Sequence, residues 1–254
     1  MGTQFARTLA ILRQRTRSTV AKVLLIISMF IGICIALVGL VYIQGNIFDG
    51  VRTYVRGEGL WAKAQKDAVL YLTHYSYTQN DVDFQRYRAA TSVMEGDHQA
   101  RQALLATPID EQAAKLGFIQ GLNDERDTDS LIWFFRHFQS NSYMRQAIQL
   151  WGLADQRFEF VMQLAENMRI EINQLGGRPE ILAQYRQQLI DANEELLSLE
   201  IEFSAVLSEG ARWVKQMTWL ISLGALLLFI SIGIFASRQI IRNIAKSERQ
   251  LLIS

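Results

Sequence analysis

The densest group of chemically capable side chains is the run Arg56-Gly-Glu-Gly-Leu-Trp-Ala-Lys-Ala-Gln-Lys-Asp67, where Arg56, Glu58, Lys63, Lys66 and Asp67 surround Trp61. On a helix, Lys63 and Asp67 form an i,i+4 pair. Such a set suits a polar pocket or an anion site turned towards neighbouring helices. It equally suits a solvated charged face with Trp61 in the core, and spacing alone favours that second reading. Gly57-x-Gly59 is no phosphate loop, because no strand precedes it and no third glycine or Lys-Ser/Thr follows in place. An aromatic region follows at Trp133, Phe134, Phe135, Phe138 and Trp151, for which core packing is the expected role. Arg101, Arg136, His137 and Asp155 have the chemistry to line a pocket between helices there.

Other chemistries are excluded by residue type and spacing. Cys34 is the single cysteine and lies in an apolar run, so no disulfide or thiolate zinc site is expected. His74, His98 and His137 stand far apart, without ligand spacing or a triad context, and His74 and His98 read as surface or interfacial residues. Glu194, Glu195, Glu200 and Glu202 read as a solvated helix face rather than paired catalytic carboxylates. No catalytic residue, cofactor or metal is expected in this segment.

The elements that must position these residues follow from the charge distribution. The chain has 254 residues and a net charge of +1, with half of its residues hydrophobic. Two 21-residue stretches, 23–43 and 217–237, hold no charged residue, and each is long enough at about 1.5 Å per residue to cross a bilayer. The ends outside them carry nine Lys/Arg against one acid, whereas 44–216 has a net charge of −7. Segment 1–22 supplies Arg7, Arg13, Arg15, Arg17 and Lys22; segment 238–254 supplies Arg238, Arg242, Lys246 and Arg249. Basic residues on both outer flanks predict cytoplasmic termini and a central domain on the far side, the periplasm in a Gram-negative bacterium. The first run reads as an uncleaved signal anchor, since no A-x-A site follows it. Tyr42, Trp213 and Trp219 suit interfacial anchors. Gly32, Ala36, Gly39, Gly224 and Gly233 would allow close helix approach. An acidic domain outside the membrane gives no reason to expect nucleic-acid binding.

The insert reads as all-α. Only two prolines occur, and no stretch alternates as a strand does. Thr107 before Pro108 predicts a helix start, as do Asp81 and, after a break at Gly96, Asp97. The polar run 123–130 predicts a loop, with a helix restarting near its end. Ser142 to Leu175 reads as one helix closed by Gly176-Gly177, and Pro179 opens the next. On that last helix Leu182, Tyr185, Leu189, Ala192, Leu196, Leu199, Phe203, Val206, Gly210, Trp213 and Met217 recur at alternating three- and four-residue steps. This heptad seam leads into the second apolar run and keeps its phase to Leu252. Four principal antiparallel helices are expected, the first and last extending into the membrane, with shorter helices added between Asp81 and Gln120.

Several stretches resemble the periplasmic helical sensor region of two-span bacterial receptors. They are Arg52-Thr-Tyr-Val-Arg-Gly-Glu-Gly-Leu-Trp-Ala-Lys-Ala-Gln-Lys-Asp-Ala-Val69, Gly96-Asp-His-Gln-Ala-Arg101, Gly117-Phe-Ile-Gln-Gly121, Ala147-Ile-Gln-Leu-Trp151 with Asp155, and Leu199-Glu-Ile-Glu-Phe-Ser204 before Gly210-Ala-Arg-Trp213. Ser237-Arg238 and Ser247-Glu248-Arg249 resemble the linker into the output domains. In that family the region precedes cytoplasmic PAS, GGDEF or EAL domains, or a histidine kinase core. The resemblance therefore implies a signal-transduction module whose output is cyclic di-GMP turnover or phosphotransfer. This chain holds no GGDEF or EAL motif, no phospho-acceptor histidine in a kinase context and no HAMP proline. The output is expected downstream of Leu252 or in a partner protein. Also expected are a homodimer burying the seam (Leu196, Leu199, Phe203, Val206, Gly210 and Trp213 as its relay part), and a periplasmic small molecule or protein as the signal. A stand-alone inner-membrane scaffold is the alternative reading.

Overall fold

A computed structural model describes the backbone of residues 2–252, and side chains for 27–239 together with Leu24, Ile241 and Arg242. Among the described residues every regular element is helical and no strand occurs. Six α-helices follow in order: α1 (Gly2–Thr78), α2 (Asp81–Leu105), α3 (Glu111–Gln120), α4 (Thr128–Phe138), α5 (Ser142–Gln174) and α6 (Pro179–Leu252). A short 3₁₀ turn, Glu125–Asp127, precedes α4. Proline both removes a donor and clashes with the preceding turn, so its absence from helix interiors lets α1 reach 77 residues and α6 reach 74.

The ends of the shorter helices are set by local chemistry. The Asn80 side chain accepts from Val82 N at 2.9 Å, and Asp81 and Asp83 add negative charge at the positive end of α2. Asp110 Oδ1 accepts from Ala113 N at 3.0 Å and caps α3. The expected start at Thr107-Pro108 is therefore displaced to Asp110, whose carboxylate reaches an orphan N–H. The expected break at Gly96 is also absent, because α2 runs through Gly96 and Asp97 without interruption to Leu105. A Cβ on Gly96 would stand 2.6 Å from Gly121 N, and one on Gly117 would stand 2.5 Å from Ala100 N. These glycines serve a backbone-to-backbone approach of α2 and α3, not a helix end. Gly176 and Gly177 do end α5, with φ of +86° and +62°. Only glycine adopts such angles without strain.

The chain divides into two compact units: Asn46–Lys215, and the two flanking pieces Met1–Gly45 and Gln216–Ser254. The core of the larger unit is built by α1 (Ala64, Ala68, Leu72, Tyr75), α2 (Phe84, Tyr87, Met94), α5 (Phe158, Val161, Leu164, Met168) and α6 (Leu189, Ala192, Leu196). α2 is thus a full partner in the core rather than a short addition. Leu182, Leu189, Ala192 and Leu196 of the heptad seam are all at most 2% exposed within the single chain. That half of the seam is consumed internally and offers no surface to a second copy. A second cluster joins α1, α2, α3, α4 and α5 around Tyr54, Leu104, Phe118, Leu131 and Phe135.

In the flanking unit, two helices are long and apolar enough to cross a membrane. Ile27, Phe30, Ile35 and Val38 on one, and Leu220, Leu227, Ile234 and Phe235 on the other, are exposed. Gln44 Nε2 donates to Ser222 Oγ at 2.7 Å. Cβ atoms added at Gly32, Gly39, Gly224 and Gly233 would meet nothing within 4 Å, so the close approach expected at these glycines is not made within the chain. Arg238 and Arg242 are exposed. The side chains of Arg7, Arg13, Arg15, Arg17, Lys22, Lys246 and Arg249, and of Leu252 at the end of the seam, lie outside those described.

Candidate functional site

A cavity of about 60 Å³ lies inside the larger unit. α1 contributes Tyr54, Gly57, Glu58 and Trp61; α2 and α3 contribute Asp97 and Phe118. Asn123 and Leu131 come from the following turn and α4, Leu150, Trp151 and Ala154 from α5, and Leu199, Glu200 and Phe203 from α6. The volume suits a few waters or one small molecule. Its wall is mostly aromatic and aliphatic, with three carboxyl groups and no basic side chain among the lining residues.

The depth of the cavity is set by the glycine contact between α2 and α3. Because Gly96, Gly117 and Gly121 let the two backbones meet, Asp97 is drawn under Gly121, where any side chain would collide with its carboxyl group. Asp97 is 5% exposed and receives a hydrogen bond from Asn123 Nδ2 at 3.4 Å. Asn123 also donates to Phe118 O at 3.2 Å, which ties the turn after α3 to the cavity floor. Burial, with the Asp155 charge adding to it, pushes the Asp97 carboxyl well above the usual carboxylate range. A neutral carboxylic acid there can donate a hydrogen bond, which a carboxylate cannot.

Two carboxyls come from the long helices. Glu200 on α6 pairs through Oε1 with Lys66 Nζ on α1 at 3.2 Å, while its Oε2 is buried without a hydrogen-bond partner. Glu58 on α1 is half-buried, and burial followed by the charge of Glu200 raises its carboxyl above the ordinary value. Ser204 and Lys66 oppose that shift. Trp61 Nε1 is also buried with no partner. An unmatched buried donor or acceptor costs about 1–3 kcal/mol, so both atoms leave recognition capacity unspent.

Behind the cavity, Asp155 on α5 accepts from Arg101 Nε at 2.7 Å and lies 3.0 Å from His98 Nδ1. Its carboxyl is raised despite these partners, because burial outweighs the pull of Arg101 and His98. His98, read in the sequence as a surface or interfacial residue, belongs to this polar cluster.

The remaining residues expected at a site are dispersed. Arg56 pairs with Asp127 Oδ2 at 3.2 Å, beside Arg52 on Oδ1 at 3.0 Å. Lys63 is exposed and Asp67 half-buried, and Lys66 rather than Lys63 makes the ion pair of this segment. The anion-site reading of 56–67 is corrected accordingly. Its Arg56 and Lys66 are committed to carboxylates, and the cavity beside it is acidic. Arg136 pairs with Glu111, while His137 Nδ1 contacts Trp133 O at 2.7 Å and its ring lies 4.4 Å from the Trp133 ring. Arg136 and His137 therefore do not line a pocket with Arg101 and Asp155. Of the expected residues, Glu58, Trp61 and Trp151 meet at one cavity, with Lys66, Arg101 and Asp155 just outside it.

Sequence reading missed Asp97, Asn123 and Glu200 as members of a site. One signal was available: Phe84, Tyr87, Thr91, Met94 and Leu104 form a buried stripe on α2, and Asp97 falls in its three- and four-residue register. A carboxylate in an apolar stripe points to a buried polar contact. The relay residues all take positions on the α6 face towards the cavity or α5. Leu199 and Phe203 line the cavity, Val206 packs with Ala147 and Leu150, Gly210 lies against Tyr143, and Trp213 is 6.3 Å from the Tyr143 ring. Comparison of the chain with known protein families, characterised proteins and solved structures finds no match.

Proposed function

We propose that this chain is the sensory and transmembrane module of a bacterial receptor. The observation that carries the reading is that the same two helices, α1 and α6, bear the charge-free apolar stretches and line the cavity. A ligand filling the cavity would touch both helices at once, through Glu58 and Trp61 on one and Glu200 and Phe203 on the other. In this reading α1, α2, α5 and α6 form an antiparallel four-helix bundle in the periplasm, both spans cross the inner membrane and both termini are cytoplasmic. Ligand binding favours one arrangement of α1 against α6, and stiff helices carry a small shift or rotation across the bilayer. The output, cyclic di-GMP turnover or histidine-kinase phosphotransfer, lies in a continuing chain or a partner. Two copies pair along the span faces and the lower part of α6, since the upper seam is already buried.

The test uses single cysteines in a Cys34→Ser background. Gln163→Cys in intact cells is expected to react with a membrane-impermeant maleimide, whereas a cysteine at position 4 reacts only after lysis. The reverse pattern would overturn the topology. For the relay, Leu227→Cys reports disulfide formation between copies in membranes. The cavity-filling change Ala154→Leu is expected to alter that yield while helicity is retained. An unaltered yield with the cavity filled would overturn the relay.

A further inference from the structure

The cavity has a chemical bias that goes beyond a generic sensory role. Glu58 and Glu200, one from each long helix, share a cavity with no basic side chain in its lining. Lys66 occupies Glu200 Oε1 from an exposed position, and Arg101 outside the cavity is held by Asp155. Glu200 Oε2 remains buried and unpartnered on a side chain that is 12% exposed. It calls for a hydrogen-bond donor. Trp61 Nε1, equally buried and unpartnered, calls for an acceptor. Between them the wall is aromatic, from Trp61, Trp151, Phe118 and Phe203. Aromatic faces attract organic cations, and desolvated carboxylates pair with them strongly. An anion would meet the Glu58 and Glu200 carboxyl groups with no basic side chain in the lining to offset them. No group of three or more metal-ligating side chains occurs among the described residues, so a metal ion lacks a coordination set.

We propose that the cavity binds a small organic amine, its ammonium group held between Glu58 and Glu200 against the aromatic wall and an acceptor atom of the same molecule facing Trp61 Nε1. The assignment deepens the sensory reading and rests on it for its consequence, but the binding event itself is independent of the membrane relay. Ammonium supplies three donors, enough to serve both carboxylates. A hydroxyl oxygen of the same molecule accepts from the indole N–H. Because burial and the Glu200 charge raise the Glu58 carboxyl, the arriving cation stabilises its ionised form. Binding is then coupled to proton release. The groups that bear on Glu58 are Glu200 and Ser204 on α6, Lys66 on its own helix and Asp97 across the cavity.

The experiment uses the full chain in detergent or nanodiscs, titrated calorimetrically with ethanolamine. Lactate and ethylene glycol serve as anionic and neutral controls, and Mg²⁺ as the inorganic cation. Saturable binding of ethanolamine, with none of the controls bound, is expected. Glu58→Gln and Glu200→Gln are each expected to weaken it by about 10- to 100-fold, the worth of a charge-assisted hydrogen bond. Trp61→Phe, which keeps the ring and removes the donor, is expected to weaken ethanolamine by about 3- to 10-fold. Affinity is expected to rise with pH through the elevated carboxyl range, with a proton released to buffer on binding. Helicity and melting of each variant are measured alongside, and Glu58→Gln is expected to fold because it removes a charge that burial opposes. No amine binding by the folded wild type, preferential lactate or Mg²⁺ binding, or amine binding unaffected by both glutamate variants would overturn the proposal. Amine binding that leaves Leu227→Cys cross-linking unchanged would leave the site standing and overturn the relay alone.

Discussion

Arg101 on α2 donates from Nε to Asp155 Oδ2 on α5 at 2.7 Å, and the two side chains are only 12% and 4% exposed. The pair joins two core helices directly behind the cavity, with His98 on the same carboxylate oxygen. Buried ion pairs gain little over apolar replacements, yet breaking one strands a charge. Arg101→Met should therefore lower stability by about 3–5 kcal/mol, whereas the double variant Arg101→Met with Asp155→Leu should recover most of the loss. Thermal melts of the two variants decide this. Equal losses in both would show that the pair is not what joins α2 to α5.

Glycines of the same helical unit should respond in opposite ways. A Cβ at Gly117 would press on Ala100 N at 2.5 Å and Gly96 O at 2.6 Å, backbone atoms that cannot step aside. Gly117→Ala should destabilise by about 1–3 kcal/mol. Gly59 lies inside α1 with nothing within 4 Å of such a Cβ, so Gly59→Ala should stabilise by about 0.4–1 kcal/mol. Chemical denaturation of both variants measures the contrast. A neutral Gly117→Ala would refute the tight α2–α3 contact.

The Asp97 carboxyl gives stability a pH slope with a definite sign. Its folded value lies well above its unfolded one because burial, then Asp155, disfavours the anion. The folded chain therefore holds a proton that the unfolded chain releases, and stability falls as pH rises from the unfolded carboxylate range, about 3.9, towards the folded value. Asp97→Asn removes this titration while keeping shape. The variant should melt higher than the wild type at neutral pH and show a shallower decline between acidic and neutral pH. An unchanged slope would mean that Asp97 is ionised in the folded chain.

Glu171 supplies the opposite sign. It is 2% exposed and accepts from Arg178 N, Nε and Nη2 at 3.0, 2.8 and 2.7 Å across the α5–α6 turn. The Arg178 hydrogen bonds lower its carboxyl to about 2. Its contribution is complete above the unfolded glutamate range, about 4.3, and is lost as pH falls through 2. Glu171→Gln should be clearly less stable than the wild type at pH 7, with the gap narrowing towards pH 2. A gap that stays constant over that range would contradict the pairing.

An uninterrupted α6 predicts a rotational phenotype. One alanine inserted after Gly210 turns the downstream helix by about 100°. Cysteines scanned across 217–237 in membranes should then cross-link between copies on a face displaced by that angle, and output from a joined signalling domain should change. The same residues cross-linking as before would show that the helix absorbs the insertion and does not relay rotation.

Local chemistry determined much of this protein. Two prolines at element starts or loops, paired glycines after α5 and two charge-free runs are enough to specify long helices, the α5–α6 turn and two membrane-length apolar stretches. These features depend on backbone propensity and hydrophobic period, which act over a few residues. Tertiary structure decided the rest. Gly96 reads as a helix break until Gly117 and Gly121 are seen to press their backbone against it. Glu200 reads as part of a solvated face until α1 brings Glu58, Trp61 and Lys66 beside it. The cluster at 56–67 reads as either a solvated face or an anion site until Asp127 and Glu200, 71 and 134 residues away in the chain, take up Arg56 and Lys66. The upper part of the heptad seam, Leu189, Ala192 and Leu196, reads as a surface for a second copy until α1, α2 and α5 cover it. Burial and charge pairing are set by neighbours distant in sequence, and so the sign of the cavity emerged only when the helices were packed.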